Sequence, residues 1–398
     1  MNSIIIKPGR EKSVVHRHPW IFSGAVQSVN GDPRAGDIVI VRDYKGSFIA
    51  QAHYNPMSKI CARVLELRED AVIDASWWNS MIRASVERRR GYSPGLKKTA
   101  GSAERLVFGE ADFLPGLIAD RYGKIVIIQA LTAGVDKIKG EIAEIFNSIL
   151  KPAAVFERSD AAVRALEGLP ESSGIISGSI GALDTVINEN GILYSIDPAL
   201  GQKTGFFLDQ RENRLLAASY AAGRSVLDCF CYSGGFTLSA LKAGAVSAVS
   251  IDSSVEALDL LVKNLKLNNI PDGICTPVRE DVFTYLRLLR DEGKRFGMVI
   301  LDPPKFAPTR KDRDKAMRAY KDINLLAMKL LEPGGVLVTF SCSGGISSAD
   351  LRMAVGWAGT DTLREVQCVR ALAQAPDHPV RLSYPESEYL KGLICIVI

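Results

Sequence analysis

The chain of 398 residues lacks the segments that mark membrane and secreted proteins. None of its apolar runs approaches the roughly 20 residues needed to span a bilayer. Its N-terminus has no basic start, apolar core or cleavage site typical of a signal peptide. We therefore expect a cytoplasmic protein without a membrane partner. The composition, 47% apolar and 24% charged with no low-complexity tract, is that of an ordinary globular protein, and the length predicts two or three domains.

Cysteine and histidine are too few and too irregularly spaced for a zinc site or a disulfide framework. Among seven cysteines and four histidines, only Cys229 and Cys231 are two residues apart, with no second pair and no histidine nearby. We predict free thiols and no metal. Packing is the favoured interpretation for the cysteines that lie in or beside apolar segments, namely Cys229, Cys231, Cys275, Cys368 and Cys395.

Positive and negative charges nearly balance, with 49 Lys and Arg against 45 Asp and Glu. A net charge of +4 permits a nucleic-acid partner but does not require one. Local clustering is more informative, because Lys7, Arg10, Lys12 and Arg17 lie around a single acid, Glu11. This basic cluster near the N-terminus is a candidate contact surface for phosphates.

The first part of the chain is rich in short strands, and the next part mixes strands with helices. Residues 1–70 contain β-rich runs separated by Gly, Asp and Pro turn signals, at 38–41, 46–50 and 60–65, which predicts a small β-barrel. Residues 71–185 begin with an amphipathic helix over 76–90, whose final arginines at 88–90 we expect to be solvated. Further strands are predicted at 117–123, 124–129 and 154–157, with a helix at 137–150. This pattern predicts a central α+β domain.

From about residue 186 strands alternate with helices, which predicts a parallel sheet with helices on both faces. The loop that follows the strand at 225–228 lacks the G-x-G-x-x-G spacing of dinucleotide-binding folds. Four acids end successive strands of this region: Asp228, Asp252, Asp281 and Asp302. Because ligands bind at the carboxyl ends of parallel strands, we expect these acids to form a row at one edge of the sheet. Each acid alone could also be a helix cap or loop residue.

Cys342 lies in a Ser/Gly loop after the strand at 336–340, with Ser347 and Asp350 as capping residues for the next helix. A polar loop near a helix start favours a reactive thiol, although a small buried thiol is the alternative interpretation. An acid, Asp302, ends the neighbouring strand. A nucleophile and an acid at the same edge of one sheet suit chemistry on a flat, electron-poor ring, such as methyl transfer to carbon 5 of a cytosine in RNA. That carbon is a poor nucleophile, and addition of a thiolate to carbon 6 activates it. We therefore predict Cys342 as a nucleophile and Asp302 as a hydrogen-bonding group for the cytosine amino group and N3. Lys305 is expected to contact a phosphate, with a solvated lysine as the alternative interpretation.

The row of acids resembles the pattern of class I S-adenosylmethionine-dependent methyltransferases. The resemblance implies that Asp228 and the 233–235 turn face the methionine end of the cofactor, that Asp252 binds the ribose, and that Asp281 lies by the adenine. The cofactor-binding residues expected on this basis are Asp228, Phe230, Ser233, Gly234, Gly235, Asp252, Ser253, Asp281, Val282 and Asp302.

Several longer motifs resemble bacterial 23S ribosomal-RNA cytosine-5 methyltransferases of the large-subunit methyltransferase I type. They lie at residues 201–211, 302–306, 320–324 and 340–344 of the C-terminal part, at 10–13 and 18–24 near the N-terminus, and at 377–379 and 389–392. The resemblance implies an α/β protein with a PUA-type RNA-binding β-barrel at 1–70, a central α+β domain at 71–185 and a Rossmann-like methyltransferase domain at 186–398. A second cysteine that some RNA cytosine-5 methyltransferases carry is replaced here by Pro304.

The same resemblance implies that the partner is 23S ribosomal RNA or a large-subunit assembly intermediate. The RNA-binding residues expected on this basis are Lys7, Arg10, Lys12, Arg17, Lys203 and Lys305. Three alternatives remain: an RNA guanine-nitrogen methyltransferase, which needs no thiol; a small-molecule methyltransferase; and a non-catalytic RNA-binding ribosome-assembly factor. The sequence leaves open the target nucleotide, the base that removes the C5 proton and the oligomeric state, a homodimer included.

Overall fold

The computed structural model describes residues 2–92, 101–179, 185–196, 204–306 and 312–398. The chain divides into two compact units. The first consists of Met1–Ile187, Ile196–Leu208 and Pro376–Ser387, and the second of Asn188–Ser195, Asp209–Ala375 and Glu388–Ile398. In the part of the chain that is described, no helix is both long and apolar enough to cross a membrane. The predicted domain boundaries at residues 70 and 185 stay predictions.

The first unit begins with a six-stranded, mostly antiparallel sheet. Its elements are β1 (Ser3–Ile6), α1 (Lys12–Val15), β2 (Trp20–Ile21), β3 (Val26–Asn30), β4 (Ile38–Arg42), β5 (Phe48–Tyr54) and β6 (Ala62–Glu66). The strand order is β2-β6-β5-β4-β1-β3. Alternate residues of the strands point inward, so Ile4, Ile6, Val39 and Val41 are fully buried in one apolar core.

A second sheet in the first unit carries two helices on one face. Its elements are α2 (Ala75–Tyr92), β7 (Ala103–Phe108), β8 (Leu117–Tyr122), β9 (Ile125–Ala130), α3 (Ala133–Lys137), α4 (Lys139–Leu150), β10 (Ala154–Ser159) and β11 (Ser172–Gly178). The strand order is β11-β10-β9-β8-β7. Trp78 and Ile82 of α2 pack with Phe146 of α4 in a core shared with the sheet. The amphipathic pattern of 76–90 is thus confirmed as a helix.

The prediction that the arginines at 88–90 are solvated was wrong for Arg89. Its side chain is only 1% exposed and forms an ion pair with Asp112, and its Nε donates to the Arg105 carbonyl oxygen at 2.7 Å. Arg88 also reaches Asp112, at 3.3 Å. A buried guanidinium is retained because a carboxylate and a carbonyl satisfy its donors.

A short hairpin, β12 (Thr185–Glu189) and β13 (Ile192–Ile196), precedes the sheet of the second unit. That sheet and its helices comprise α5 (Arg211–Ala218), β14 (Ser225–Cys229), α6 (Gly235–Lys242), β15 (Ser247–Asp252), α7 (Val255–Leu267), β16 (Cys275–Arg279), α8 (Val282–Asp291), β17 (Phe296–Leu301), α9 (Arg313–Leu330), β18 (Leu331–Ser341), α10 (Ser348–Thr362), β19 (Val366–Ala373) and β20 (Lys391–Val397). The strand order is β16-β15-β14-β17-β18-β20-β19. The first five strands are parallel, and β20 is antiparallel to both of its neighbours.

The two faces of this sheet are covered by different helices. On one side, Val299 and Leu301 of β17 pack in a core with α8, α9 and α10. On the other side, Met298 and Ile300 of the same strand pack in a core with α5 and α6. All four residues are fully buried, as expected for a strand with helices on both faces. The predicted parallel, doubly covered sheet is therefore confirmed, and its carboxyl edge is where a ligand site is expected.

Candidate active site

The row of acids predicted from the sequence lies at the carboxyl edge of four adjacent parallel strands. Asp228 is the next-to-last residue of β14, and Asp252 is the last residue of β15. Asp302 directly follows β17, and Asp281 lies two residues beyond β16. The four strands are neighbours in the order β16-β15-β14-β17, so the expected common edge is confirmed.

Asp228 is a buried carboxyl whose two oxygens differ. Its Oδ2 accepts hydrogen bonds from Thr237 N at 3.0 Å and Thr237 Oγ1 at 2.6 Å, at the start of α6. Its Oδ1 has no hydrogen-bond partner among the described residues. Burial raises the pKa of Asp228 to about 7, and the nearby Asp302 and Asp252 carboxylates add to this rise against the Thr237 hydrogen bonds. A cationic group beside Oδ1 would satisfy that oxygen and favour the ionised form.

The loop from β14 to α6 has a strained backbone that only specific residues accommodate. Phe230 and Tyr232 adopt positive φ values of 62° and 49°, which are uncommon for residues other than glycine. Gly234 has φ +83°, and a Cβ there would lie 2.2 Å from Leu261 Cδ1. Ser233 is 1% exposed, and its Oγ has no hydrogen-bond partner among the described residues. Strain and an unsatisfied buried hydroxyl together indicate a loop shaped for a ligand.

Asp252 and Asp281 differ in what their carboxylates contact. Asp252 accepts from the backbone N–H groups of Tyr232, at 2.9 Å, and Ser254, at 3.0 Å, which orient it and leave further acceptor capacity. Asp281 is exposed and caps α8, accepting from the Thr284 N–H at 2.9 Å. Asp281 therefore acts as a helix cap, which was the alternative interpretation of these acids. The expected position of Asp281 beside the adenine stays a prediction. Ser253 is exposed and Val282 is buried.

Cys342 and Asp302 lie at the ends of two neighbouring parallel strands, as predicted. Cys342 directly follows β18, and its Sγ is 3.7 Å from the carbonyl oxygen of Pro303, the residue after Asp302. The side chain of Cys342 is half-buried, whereas those of the other cysteines range from exposed to buried. Asp302 Oδ2 accepts from Gln210 Nε2 at 3.0 Å, and Asn213 in turn donates to Gln210 Oε1 at 2.7 Å. An oriented carboxylate and a thiol thus share one edge.

Residues that the sequence analysis did not assign hold the Cys342 loop. Ser343 Oγ lies 3.1 Å from both the Tyr320 hydroxyl and the Phe306 backbone N–H. The Ser343 carbonyl accepts from Lys391 Nζ at 3.3 Å. Tyr320 is fully buried, and burial raises its pKa, so its hydroxyl stays neutral. A lysine at the start of the otherwise apolar segment 391–398 is the signal that could have identified Lys391.

Ser347 caps α10, as the sequence predicts. Its side chain accepts from the Asp350 N–H at 3.1 Å, while Asp350 accepts from the Ser347 N–H at 2.9 Å, so both donors are satisfied. The cap fixes the point at which the loop of Cys342 ends and the helix begins.

The basic cluster of the first unit is exposed. Lys7, Arg10, Lys12 and Arg17 all lie on the surface. Arg10 lines a groove with Ser13, Trp20 and Phe22, of which Phe22 is 50% exposed. In the second unit Lys305 is exposed as well. Lys203, also predicted to bind RNA, lies outside the described residues.

None of the seven cysteines, all of which lie in the described ranges, forms a disulfide. Cys229, Cys231 and Cys395 are buried and Cys275 is half-buried, but Cys368 on the edge strand β19 is exposed, so the packing interpretation was wrong for it. Among the described strands, β19 pairs only with β20 and forms one edge of the sheet. In the described ranges no cluster of three or more His, Cys, Asp or Glu side chains could hold a metal.

Comparisons with known proteins agree with this architecture. A family model described as a PUA-like domain matches residues 4–67, and one described as an S-adenosylmethionine-dependent methyltransferase matches residues 168–379. Proteins named ribosomal RNA large subunit methyltransferase I from Shewanella frigidimarina and Aeromonas hydrophila are both 42% identical to this chain. The alignments cover 99% of both chains in the first case and 98% in the second. A crystal structure of SMU.776, described as a methyltransferase and complexed with SAH, has a TM-score of 0.86 and 21% identity over 100% of both chains.

The sheet order and the matched families define the chain as an S-adenosylmethionine-dependent methyltransferase with a PUA-like domain. The acids lie at the carboxyl edge of the sheet, which is where open α/β sheets bind ligands. Within this class, the chain belongs to the ribosomal RNA large subunit methyltransferase I family. The family resemblance, the α/β fold with its PUA-like barrel and the S-adenosylmethionine cofactor expected from the sequence are thereby confirmed.

Proposed function

We propose that the protein methylates carbon 5 of a cytosine in 23S ribosomal RNA through a covalent adduct with Cys342. The observation that carries the proposal is the 3.7 Å contact between Cys342 Sγ and the carbonyl oxygen of Pro303, the residue that follows Asp302. The names of the relatives, which act on large-subunit ribosomal RNA, support the substrate class. A nitrogen nucleophile on a purine would need no thiol at this edge.

The chemistry follows from the two side chains. The Cys342 thiolate adds to carbon 6 of the ring, which makes carbon 5 nucleophilic enough to accept a methyl group. Asp302, oriented by Gln210, accepts a hydrogen bond from the 4-amino group and, in its protonated form, donates one to N3, which stabilises the charge that the addition places on the ring. Loss of the C5 proton then allows the thiolate to leave. S-adenosylmethionine, when bound, supplies the methyl group.

The residues around the β14–α6 loop fit the cofactor. Asp228 Oδ1 and Ser233 Oγ are buried polar atoms without partners among the described residues, and S-adenosylmethionine offers an ammonium, a carboxylate and hydroxyls. We assign Asp228, Ser233, Gly234 and Gly235 to the methionine end, with Phe230 beside them. Asp252, already held by two backbone N–H groups, would bind the ribose hydroxyls, with Ser253 next to it. Asp281 and Val282 would lie by the adenine.

The exposed basic side chains supply the RNA contacts of this proposal. Lys7, Arg10, Lys12 and Arg17 of the PUA-like barrel would bind phosphates, and structured RNA is recognised mainly by its backbone and shape. Lys305, next to the Asp302 segment, would contact a phosphate near the target base. That base must leave its stack to reach Cys342.

The decisive experiment replaces Cys342 with alanine and uses RNA that contains 5-fluorocytosine. Fluorine replaces the hydrogen at C5 and cannot leave as a proton does. With S-adenosylmethionine present, the wild-type adduct should therefore accumulate as a complex stable to denaturation. Cys342→Ala should form no complex and no 5-methylcytosine, while its affinity for S-adenosylmethionine stays within about twofold of wild type, because the thiol is not among the proposed cofactor contacts.

Cys368→Ala is the matched control, since it removes an exposed thiol on β19, which is separated from β18 by β20 in the sheet. It should retain both the adduct and the activity. Full methylation by Cys342→Ala would instead indicate methylation of a guanine nitrogen, and failure of the wild type to bind S-adenosylmethionine would indicate a non-catalytic RNA-binding protein.

A further inference from the structure

Lys391 is a buried lysine beside the loop that carries Cys342. It is the first residue of β20 and pairs directly with Ser341, the last residue of β18, in the antiparallel register. Its side chain is 7% exposed, although lysine is rarely buried to this extent. The next residue is Gly392, where a Cβ would lie 2.4 Å from the Phe340 ring. Close packing of β20 on β18 therefore brings the amine next to the strand end.

The contacts of Lys391 Nζ place it at the backbone of the thiol loop. It donates to the Ser343 carbonyl at 3.3 Å and to the Tyr389 carbonyl at 3.1 Å. Lys391 thus pairs in the sheet with Ser341, the residue before Cys342, and donates a hydrogen bond to Ser343, the residue after it. Two of the three N–H donors of an ammonium are used by neutral acceptors.

Among the residues that the structure describes, no carboxylate lies within ion-pair distance of Lys391 Nζ. Buried charges usually have a partner of opposite sign, because desolvation is costly. Burial lowers the pKa of Lys391, and the positive charge of the exposed Lys305 lowers it further. The negative charges of the exposed Glu388 and of the Cys342 thiolate raise that pKa. The thiolate is thus a negative group close enough to interact with a buried ammonium that lacks a carboxylate.

Among the described residues, the other titratable groups near the thiol do not compete for this role. Asp302, in its ionised form, would disfavour a thiolate. Tyr320, whose hydroxyl contacts Ser343 Oγ, has a pKa raised by burial and stays neutral. Lys305 is positive but exposed, so solvent screens its charge. At a similar distance, a buried cation stabilises a thiolate more strongly than an exposed cation does, because the dielectric constant around it is lower.

We propose that Lys391 is a positioning residue that stabilises the thiolate form of Cys342 and fixes the loop that presents it. The proton of the thiol passes to solvent, and the ammonium balances the charge left on sulfur until the thiolate attacks. The inference rests on the proposed function for its purpose, but the ion pair itself requires neither RNA nor cofactor.

The test follows alkylation of Cys342 by iodoacetamide from pH 5.5 to 10, with each cysteine quantified by mass spectrometry. Exposed Cys368 in the same molecule is the internal reference. In Lys391→Met, which keeps length but removes charge, we expect the pH midpoint for Cys342 to rise by about one unit or more, so that alkylation at pH 7 slows about tenfold. Lys391→Arg, which keeps the charge, should remain within about threefold of wild type at pH 7.

An unchanged midpoint in Lys391→Met, or an equal rise in both variants, overturns the proposal and leaves Lys391 as a tether of the loop. The wild type provides a test that needs no variant, because its Cys342 midpoint must lie below the ordinary thiol value of about 8.5. Alkylation is measured without RNA, so the result is separate from the proposed cytosine reaction. Should the 5-fluorocytosine adduct fail to form while the lysine variants shift the midpoint, only the proposed function is wrong.

Discussion

Replacing Asp228 with asparagine separates the stability of the second unit from its cofactor affinity. The carboxyl has a pKa raised by burial from 3.8 to about 7. Between these values the folded state holds a proton that the unfolded chain has lost. Stability from this group is therefore full below about pH 4, falls as pH rises to about 7, and stays low above it. The full loss is on the order of 4 kcal/mol, since each pKa unit corresponds to about 1.4 kcal/mol.

Asparagine keeps an oxygen for the two Thr237 donors and carries no charge, so it resembles the protonated acid. We expect Asp228→Asn to be more stable than wild type at pH 8, by about 1 to 4 kcal/mol. The same variant should bind S-adenosylmethionine about ten- to a hundredfold more weakly, because a charged hydrogen bond to the methionine ammonium contributes roughly 1.5–3 kcal/mol. A group that costs stability and improves binding is typical of a functional site.

The assay combines urea denaturation at pH 5, 6.5 and 8, followed by hydrogen exchange in peptides of the second unit, with calorimetric titration. S-methylthioadenosine, which lacks the amino-acid part of the cofactor, is the control ligand, and its affinity should not change. An Asp228→Asn protein that is less stable at pH 8 and binds S-adenosylmethionine as wild type does would show that Asp228 is an ionised packing residue, and the reasoning would be wrong.

Three other variants test separate parts of the site. Asp252→Ala should weaken both S-adenosylmethionine and S-methylthioadenosine by roughly 1–3 kcal/mol in calorimetry, because the ribose is common to both; loss confined to one ligand would contradict this. Gly234→Ala should lower the free energy of unfolding by at least about 1–2 kcal/mol and reduce cofactor binding. The φ of +83° at this position disfavours any residue with a Cβ, and that Cβ would also collide with the buried Leu261. Gly356→Ala, in a helix with open space beside it, is the control and should stabilise the protein slightly. Neutralising Arg10 and Lys12 together should raise the RNA Kd and reduce its log–log salt slope by about 1 to 2, and an unchanged slope would remove the barrel from the RNA site.

The edge that carries the acids was predictable because it depends on local patterns. Apolar strands, each followed by an acid and a helix, determine which ends of the strands meet, and Asp228, Asp252 and Asp302 follow that rule. The cap at Ser347 was predictable for the same reason, since its partner is three residues away.

Features that depend on distant residues were not predictable from local patterns. Arg89 looks like a solvated end of a helix until Asp112, 23 residues away, is brought beside it. Lys391 meets the loop of Cys342 only because β20 pairs with β18, across 48 residues that separate it from Ser343. The positive φ values of Phe230 and Tyr232 follow from the path of the loop between strand and helix and not from residue preference.

The position of β20 has a consequence for the order in which the enzyme assembles. This strand lies inside the sheet, between β18 and β19, although it is formed by residues 391–397. During synthesis, β19 emerges about 20 residues earlier but must wait for β20 before it can join the sheet. Lys391 arrives with that same strand. The surroundings of the Cys342 sulfur are thus incomplete until β20 has paired with β18, and on the proposed role of Lys391 the thiol would be ordinary and weakly nucleophilic before that pairing.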